Sequence, residues 1–342
     1  MQVEPMKKID TTKLQKGDII LSTSIDGFSE VVRSATNSDI SHVMIYVSDG
    51  SVMDSTGDGV QARNIQKIFY PLGCALYVYR LKIGLSESDA KIIIHYVRTE
   101  TGAPYDKVGA GRSMHNPKSQ GGDNQFCSRL VARAYEKIGV KLTENPDFAT
   151  PAQIKLSSSL ELVEDAVVNV DEFEIEALNR DVDTTEEMRV ITNNLLEDVR
   201  GWMPKIRTLN DITKSLLAKP GLDRKVLSSY KRSGYLDFWK VEISRFPWRY
   251  DYDLMIKAKC QYDFQDLVEY CRSTIRQNEQ GDYDHWKANA DEYKKRYGHK
   301  RLRTFEQLAI LYHSLSEHQN IRLINAKRFL IEHADVISQQ QG

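Results

Sequence analysis

The chain predicts an α+β domain followed by an all-helical one, on three observations. Between residues 17 and 83, β-branched and aromatic runs alternate with glycine turns, the pattern of a small antiparallel sheet. Helical periodicity then appears at about 87–101 and again behind Cys127, so helices are segregated from strands. From residue 171 the character changes. Acidic stretches (Asp171 to Glu176, Glu186-Glu187) and all four tryptophans fall there, no proline follows Pro247, and long helical patterns take over. These shifts place one domain at 10–168 and an all-α domain at 175–338.

The elements follow in order. Gly17 to Leu21 reads as a short buried strand, and Phe28, Val31, Val32 and Ala35 mark one face of a short helix. Ser41 to Val47 alternates, with His42, Met44 and Tyr46 on one face and Val43, Ile45 and Val47 on the other. Asp49-Gly50 signals a hairpin, Ser51 to Thr56 returns, Gly57-Asp58-Gly59 turns again, and Val60 to Ile65 predicts a third strand. Ala75 to Ile83 is the clearest strand. Ser86 with Asp89 reads as a cap for a helix ended by Gly102. Residues 102–125 are loop-like, rich in glycine and proline, and a loop of that length points to function. A helix runs from Cys127 to about 138, its apolar face Leu130, Val131, Ala134, Tyr135 and Ile138, with Gly139 as the stop. Thr150-Pro151 starts a short helix, and Leu160 to Val168 predicts a closing strand. In the second domain Thr304 with Gln307 forms a capping-box signature ahead of Phe305, Leu308, Ala309, Tyr312 and Leu315.

Composition excludes several classes. The net charge of −1 gives no global basic field for nucleic acid or anionic membrane. No apolar run approaches the roughly 20 residues a membrane span needs. The start, Met1 to Lys16, is polar and lacks the apolar segment of a secretory signal, which makes the cytoplasm the default expectation. Cys74, Cys127, Cys260 and Cys271 are widely scattered, without the spacing of a zinc, redox or disulfide framework. His313 and His318 are five apart, off a single helical face, so no metal site and no cofactor are expected.

Cys127 carries the chemistry. A thiol at a helix start meets unpaired N–H groups and the positive end of the helix dipole, both of which favour thiolate. Such a nucleophile needs a base, and the base an orienting group. His42, opening a strand after a turn-like segment, is the leading base, with His115 in the long loop as its competitor. His95 sits within a helix, and His285, His299, His313, His318 and His333 read as surface residues. The third group follows from hairpin register. A two-residue turn at Asp49-Gly50 pairs Ser48 with Ser51 and Ile45 with Asp54, which points Asp54 away from His42. A three-residue loop puts Asp54 opposite Met44, diagonal to His42, at a Cβ separation of roughly 7–8 Å that the two side chains can bridge. Thr56 and Asp58 are the fallbacks.

Taken in order, these residues resemble a known group. Gly17-Asp18-Ile19, Ser41-His42-Val43 with Ile45-Tyr46, Val52-Met53-Asp54, Gly102-Ala103-Pro104-Tyr105-Asp106, Phe126-Cys127-Ser128-Arg129-Leu130-Val131 and Thr150-Pro151 are similar to the YiiX/YebB-like proteins, circularly permuted NlpC-type members of the papain-like fold. The resemblance covers about 15–165. It implies Cys127 as nucleophile, His42 as general base and Asp54 as orienter. With that chemistry, N–H groups at the helix start, Ser128 among them, are the candidates to hold the oxyanion, with Gln125 or Asn124 as candidate side-chain donors. Tyr105 and Asp106 would line the cleft. The group usually carries Glu where this chain has Arg129, a position that reads as helix surface, and Asp54 stands where Glu or another polar group is common.

The function so implied is a cysteine peptidase or amidase acting on a peptide or acyl-amide, with peptidoglycan-type peptides in view. Such a substrate, for a chain without a signal, requires a signal-independent export route of the kind used by bacterial toxin effectors. A thiol-dependent acyltransferase or esterase acting on lipid acyl groups is the alternative enzyme. A partner-binding protein working through 175–338 is the alternative outside enzymes.

Overall fold

The computed structural model describes residues 5–23, 33, 34, 36–48, 50–106, 109, 110, 125–180 and 182–339. Among them, two compact units meet in sequence at Ile212 and Thr213. The helix predicted around Phe28 to Ala35 lies mostly outside the described residues, as do Asn124 and His115.

The first unit carries nine described strands: β1 Met6–Ile9, β2 Ile19–Ser22, β3 His42–Ser48, β4 Ser51–Thr56, β5 Gly59–Asn64, β6 Tyr70–Pro71, β7 Leu76–Leu81, β8 Leu160–Leu162 and β9 Val167–Val170. They form two antiparallel sheets, one in the order β5-β4-β3-β2-β7-β8 and one in the order β6-β1-β9. Strand β1 was not legible: its Met-Lys-Lys-Ile has one fully buried residue, Ile9, and its order comes from pairing with β9 and β6. The closing strand predicted at 160–168 is two strands in different sheets, because Asp165 takes a left-handed turn (φ 58°) between them.

Both faces of the central strands are buried. On one face Ile19, Leu21, Val43 and Ile45 pack against α1 Glu87–Thr99 and α2 Cys127–Glu136, through Ile93, Val97, Leu130 and Val131. On the other, Ile20, Met44, Tyr46 and Val52 pack with Ile9, Ile65 and Tyr70. Burial of each such large apolar side chain contributes about 1.5–3 kcal/mol, so register in β3 is strongly specified. Ser86 caps α1 by accepting the Asp89 N–H at 3.0 Å. Thr150 and Gln153 form a capping box on α3 Pro151–Lys155.

Helices α4 Glu172–Arg180 and α5 Thr184–Arg200 belong to the first unit. A Cβ on Gly102 would lie 2.2 Å from Leu196 of α5, so this glycine serves both its own φ of +87° and the seating of that helix. The compositional boundary at 168–175 separates sheet from helices, whereas compactness carries the first unit on to Ile212.

The second unit is helical: the end of α6 Leu209–Ala218, then α7 Asp223–Ser233, α8 Phe238–Arg245, α9 Tyr252–Ala258, α10 Phe264–Glu279, α11 Asp284–His299, α12 Arg303–Glu332 and α13 Ala334–Gln339. Met255, Leu267, Val268, Cys271, Ala326 and Phe329 form a core there. The capping box predicted at Thr304 is not what starts α12. The helix begins one residue earlier, and the Asp223 carboxylate accepts the N–H groups of Arg303 and Thr304. His299 and His313 are exposed as predicted, but His285, His318 and His333 are half-buried against Trp286, Trp239 and Phe329, of which Trp239 is distant along the chain. No helix among the described residues is long and apolar enough to cross a membrane.

Candidate active site

The β3–β4 hairpin decides where His42 and Asp54 point. Ser48 pairs with Ser51, as a two-residue turn requires, yet the ladder continues as Tyr46–Val52 and Ile45–Met53. One residue, Val47, is slipped into β3 between these pairs. The extra residue thus sits in the strand rather than in the turn, and the continued register sets Asp54 opposite Met44. The backbone ladder stops at Ile45–Met53. Beyond it the strand ends are joined by side chains: His42 Nε2 lies 3.0 Å from Asp54 Oδ2.

Asp54 is 1 % exposed and takes part in more than this one bond. Arg63 Nε donates to both its oxygens at 2.8 Å, and Arg63 Nη2 donates to Thr56 Oγ1 at 2.6 Å. Arg63 is the site residue that sequence reading missed. The signal was there. The two-residue Gly57-Asp58 turn pairs Thr56 with Gly59, hence Asp54 with Gln61 and Val52 with Arg63, which puts Arg63 diagonal to Asp54 on the same face. Thr56 therefore serves Arg63, and Asp58 accepts from Arg189 at 2.7 Å, so neither fallback faces His42.

Cys127 reaches the site from the other side. It is the first residue of α2, and the preceding Phe126 offers no side-chain cap to the helix start. The helix is anchored by Leu130, Val131, Ala134 and Tyr135, all fully buried, and by the Tyr135 hydroxyl, which donates to the Gly17 carbonyl at 2.5 Å. This seats the thiol within hydrogen-bond reach of His42. With Nε2 on Asp54, the imidazole has Nδ1 left for the sulfur. Burial pulls the His42 pKa down, but the charges and hydrogen bonds of Cys127 and Asp54 outweigh it and raise it to about 10. Burial pushes the Asp54 carboxyl up, and His42 and Arg63 together bring it below its ordinary value.

The loop residues fall into two groups. Tyr105 is bridged to Gln125, half-buried, and its phenol is raised by burial and by the neighbouring Cys127 and Asp106. The Gln125 amide, by contrast, donates to Glu100 Oε2 (2.9 Å) and to the Tyr96 hydroxyl (3.4 Å), so its nitrogen is committed to the C-terminal end of α1 and the residue that follows it. The Ser128 hydroxyl donates to the Ala149 carbonyl at 2.6 Å, so its side chain secures the following segment. Asp106 accepts from the Gly109 N–H at 2.8 Å and from Arg129 Nη1 at 3.0 Å.

Arg129 corrects an expectation. Predicted on the helix surface, its side chain is 0 % exposed. Its Nε donates to the Asp147 carbonyl at 2.7 Å, its guanidinium lies 4.4 Å from the Phe126 ring centroid, and it pairs with Asp106. Helical spacing places it on the side of the helix opposite the Leu130, Val131 and Ala134 stripe, but Asp106 and Asp147 close over that flank. Arg129 thereby ties both of their segments to the helix that bears the thiol.

A cavity of about 360 Å³ opens beside the imidazole and carboxylate. His42, Asp54, Arg63, Met44 and Tyr70 contribute to its walls, and Cys127 does not.

Comparison with known proteins places this half of the chain. Residues 13–173 match the model of the family described as permuted papain-like amidase enzyme, YaeF/YiiX, C92 family. A stretch of 64 residues is 34% identical to the probable lipoprotein peptidase YaeF of Escherichia coli (strain K12), taking in 19% of this chain and 23% of that protein. This chain therefore spans under a quarter of the curated relative it matches. The crystal structure of the metalloprotein YiiX from Escherichia coli O157:H7 is 23% identical over 46% of this chain and 97% of that one, with a TM-score of 0.29. Residues 13–173 are a permuted papain-like domain of the YaeF/YiiX peptidase and amidase kind.

Proposed function

We propose that this chain, with a permuted papain-like domain of the amidase family at 13–173, is a cysteine amidase or peptidase in which Cys127 is the nucleophile, His42 the general acid–base and Asp54 its orienter. One observation carries the reading. A single imidazole is held on Nε2 by a buried carboxylate at 3.0 Å, with the thiol of a helix-start cysteine within reach of its other nitrogen.

The chemistry follows from that arrangement. His42, with its pKa raised to about 10, stays an imidazolium through the neutral range, beside the sulfur of Cys127. The sulfur attacks the amide carbonyl. The oxyanion forms against the first N–H groups of α2, which Phe126 leaves without a side-chain cap. His42 then gives its proton to the leaving nitrogen as the C–N bond breaks, leaving a thioester on Cys127. Water, deprotonated by the now neutral His42, attacks the thioester, and collapse releases the acid and restores the thiol pair. Tyr105, close to the thiol, borders the path the acyl group takes. A peptide or acyl-amide is the substrate class, and peptidoglycan-type peptides within it are the first to try.

The test is hydrolysis of a panel of N-acyl amino-acid amides and peptidoglycan fragments by wild type, Cys127→Ala and His42→Ala. Loss of release in both variants supports the triad. Undiminished release in both would sink it.

A further inference from the structure

We propose that Arg63 is a positioning residue of this site: by gripping the Asp54 carboxylate from the side opposite His42, it sets the orientation of the imidazole toward Cys127. The inference rests on the cysteine-hydrolase reading above. The grounds are geometric. Asp54 lies on a strand end that has left the backbone ladder, so nothing in the β3–β4 pairing holds its side chain. Arg63 stands on β5, where Asp54 does remain paired, through Gln61. Its Nε reaches both carboxylate oxygens at 2.8 Å, and Nη2 is tied to Thr56 Oγ1 at 2.6 Å. That second contact fixes the rotation of the guanidinium plane, so the donor cannot swing. Of the two Asp54 oxygens, Oδ2 faces His42 and is shared, whereas Oδ1 takes its described side-chain hydrogen bond from Arg63. The carboxylate is thus clamped in one orientation rather than free to rotate about its Cβ–Cγ bond.

Charge works in the same direction. Buried Asp54 sits between two cations, the His42 imidazolium and the Arg63 guanidinium, and both keep it ionised. The other ionisable groups around it are Tyr70 from β6, which hydrogen-bonds Ser22, and, across the shared cavity, Lys67 and Cys74. Asp183, Glu186 and Arg189 of the α5 end also face this cavity, but Asp183 caps its own helix and Glu186 pairs with Arg189. Arg63 is the cation that donates described hydrogen bonds to Asp54 from the side away from the imidazolium.

The experiment reads the rate of Cys127 alkylation by iodoacetamide against pH, which needs no knowledge of the substrate. In Arg63→Met the carboxylate loses its clamp and its second cation. Asp54 then protonates at higher pH, and the acid limb of the profile moves up by about one pH unit. The neutral plateau drops about tenfold as the imidazole loosens. Arg63→Lys keeps the charge and loses the bidentate grip, so the limb returns to its wild-type position while the plateau stays low. Thr56→Val, which leaves Arg63 in place but unlocks its rotation, lowers the plateau by about twofold to threefold. A role confined to stability would lower the melting temperature of Arg63→Met without moving its limb or lowering its plateau, and that result overturns the proposal. So does a wild-type profile in both Arg63 variants. Should Arg63→Met fail to fold, Arg63→Lys decides alone: a wild-type plateau defeats the clamp, and a lowered plateau on an unmoved limb supports it. His42→Ala is the control on the underlying reading. If it leaves alkylation at neutral pH unchanged, the hydrolase site itself fails, an outcome distinct from failure of the Arg63 clamp.

Discussion

Two buried cysteines, one in each unit, show what burial alone does to a thiol and what a neighbour adds. Cys271 lies in the middle of α10, fully buried among Met255, Leu267, Val268 and Phe329, and burial pushes its thiol up to about 12. Cys127 is almost as well buried, at 6 %, but it opens its helix, with the imidazole of His42 in hydrogen-bond reach. The first is packed as a small hydrophobe, and burial disfavours its charged form. The second has the imidazole beside it. The two thiols differ in the partner the fold brings to them more than in exposure.

The sharpest way to break that contrast is to remove the thiol that has partners. Cys127→Ala is expected to lower amide hydrolysis by at least about 10⁴-fold, read as product release from the acyl-amide panel, while Cys271→Ala leaves kcat/KM unchanged. Equal loss from both would show that the second unit takes part in the chemistry. Next comes the anchoring of the Cys127 helix. Arg129→Met strands Asp106 beside a buried helix flank and is expected to cost about 3 kcal/mol, a fall in melting temperature of roughly 6–12 °C for a unit of this size. A change under 1 °C would return Arg129 to the ordinary surface role its spacing suggests.

Alkylation tests the contrast without a substrate. Cys260 is exposed and Cys127 buried, so exposure favours labelling of Cys260 and activation favours Cys127. Iodoacetamide at neutral pH is expected to modify Cys127 first of the four thiols, with Cys271 last. His42→Ala should slow Cys127 by about 100-fold. Uniform labelling would remove the distinction between the two units.

The pH dependence is the smallest effect at neutral pH and the most specific in sign. His42 has a raised pKa, so the contribution of its charged form is fully present below the ordinary histidine value and is lost as pH rises through about 10. Asp54 is depressed, so its contribution is present above the ordinary carboxylate value and lost only as pH falls through the lowered one. Hydrolysis is therefore expected to hold a broad plateau across neutrality, with its alkaline limb near pH 10, where His42 no longer has a proton for the leaving nitrogen. An alkaline limb near pH 7 would mean that Cys127 and Asp54 do not hold the imidazolium.

Much of this site was legible in the chain because its parts are local. Alternation through Ser41 to Val47 put His42 on a strand, helical spacing behind Cys127 put the thiol at a helix start, and Ser86 and Thr150 marked helix starts where caps are found. Each rests on periodicity or on contacts within a few residues, which propensity and hydrogen-bonding chemistry determine by themselves. What only the tertiary structure decided involves residues far apart or a choice among equal local states. The shift at Val47 combines the pairing of one turn with the register of another, and the packing of both sheet faces selects it. Strand β1 exists because β6 and β9 offer it backbone partners. Arg129 is buried because Asp106 and Asp147, distant along the chain, close over it, and a charge is buried only where such partners meet it. Periodicity reports which face of an element is apolar. It carries no record of which polar groups other segments will bring to the opposite face, and that is where Arg129 was found.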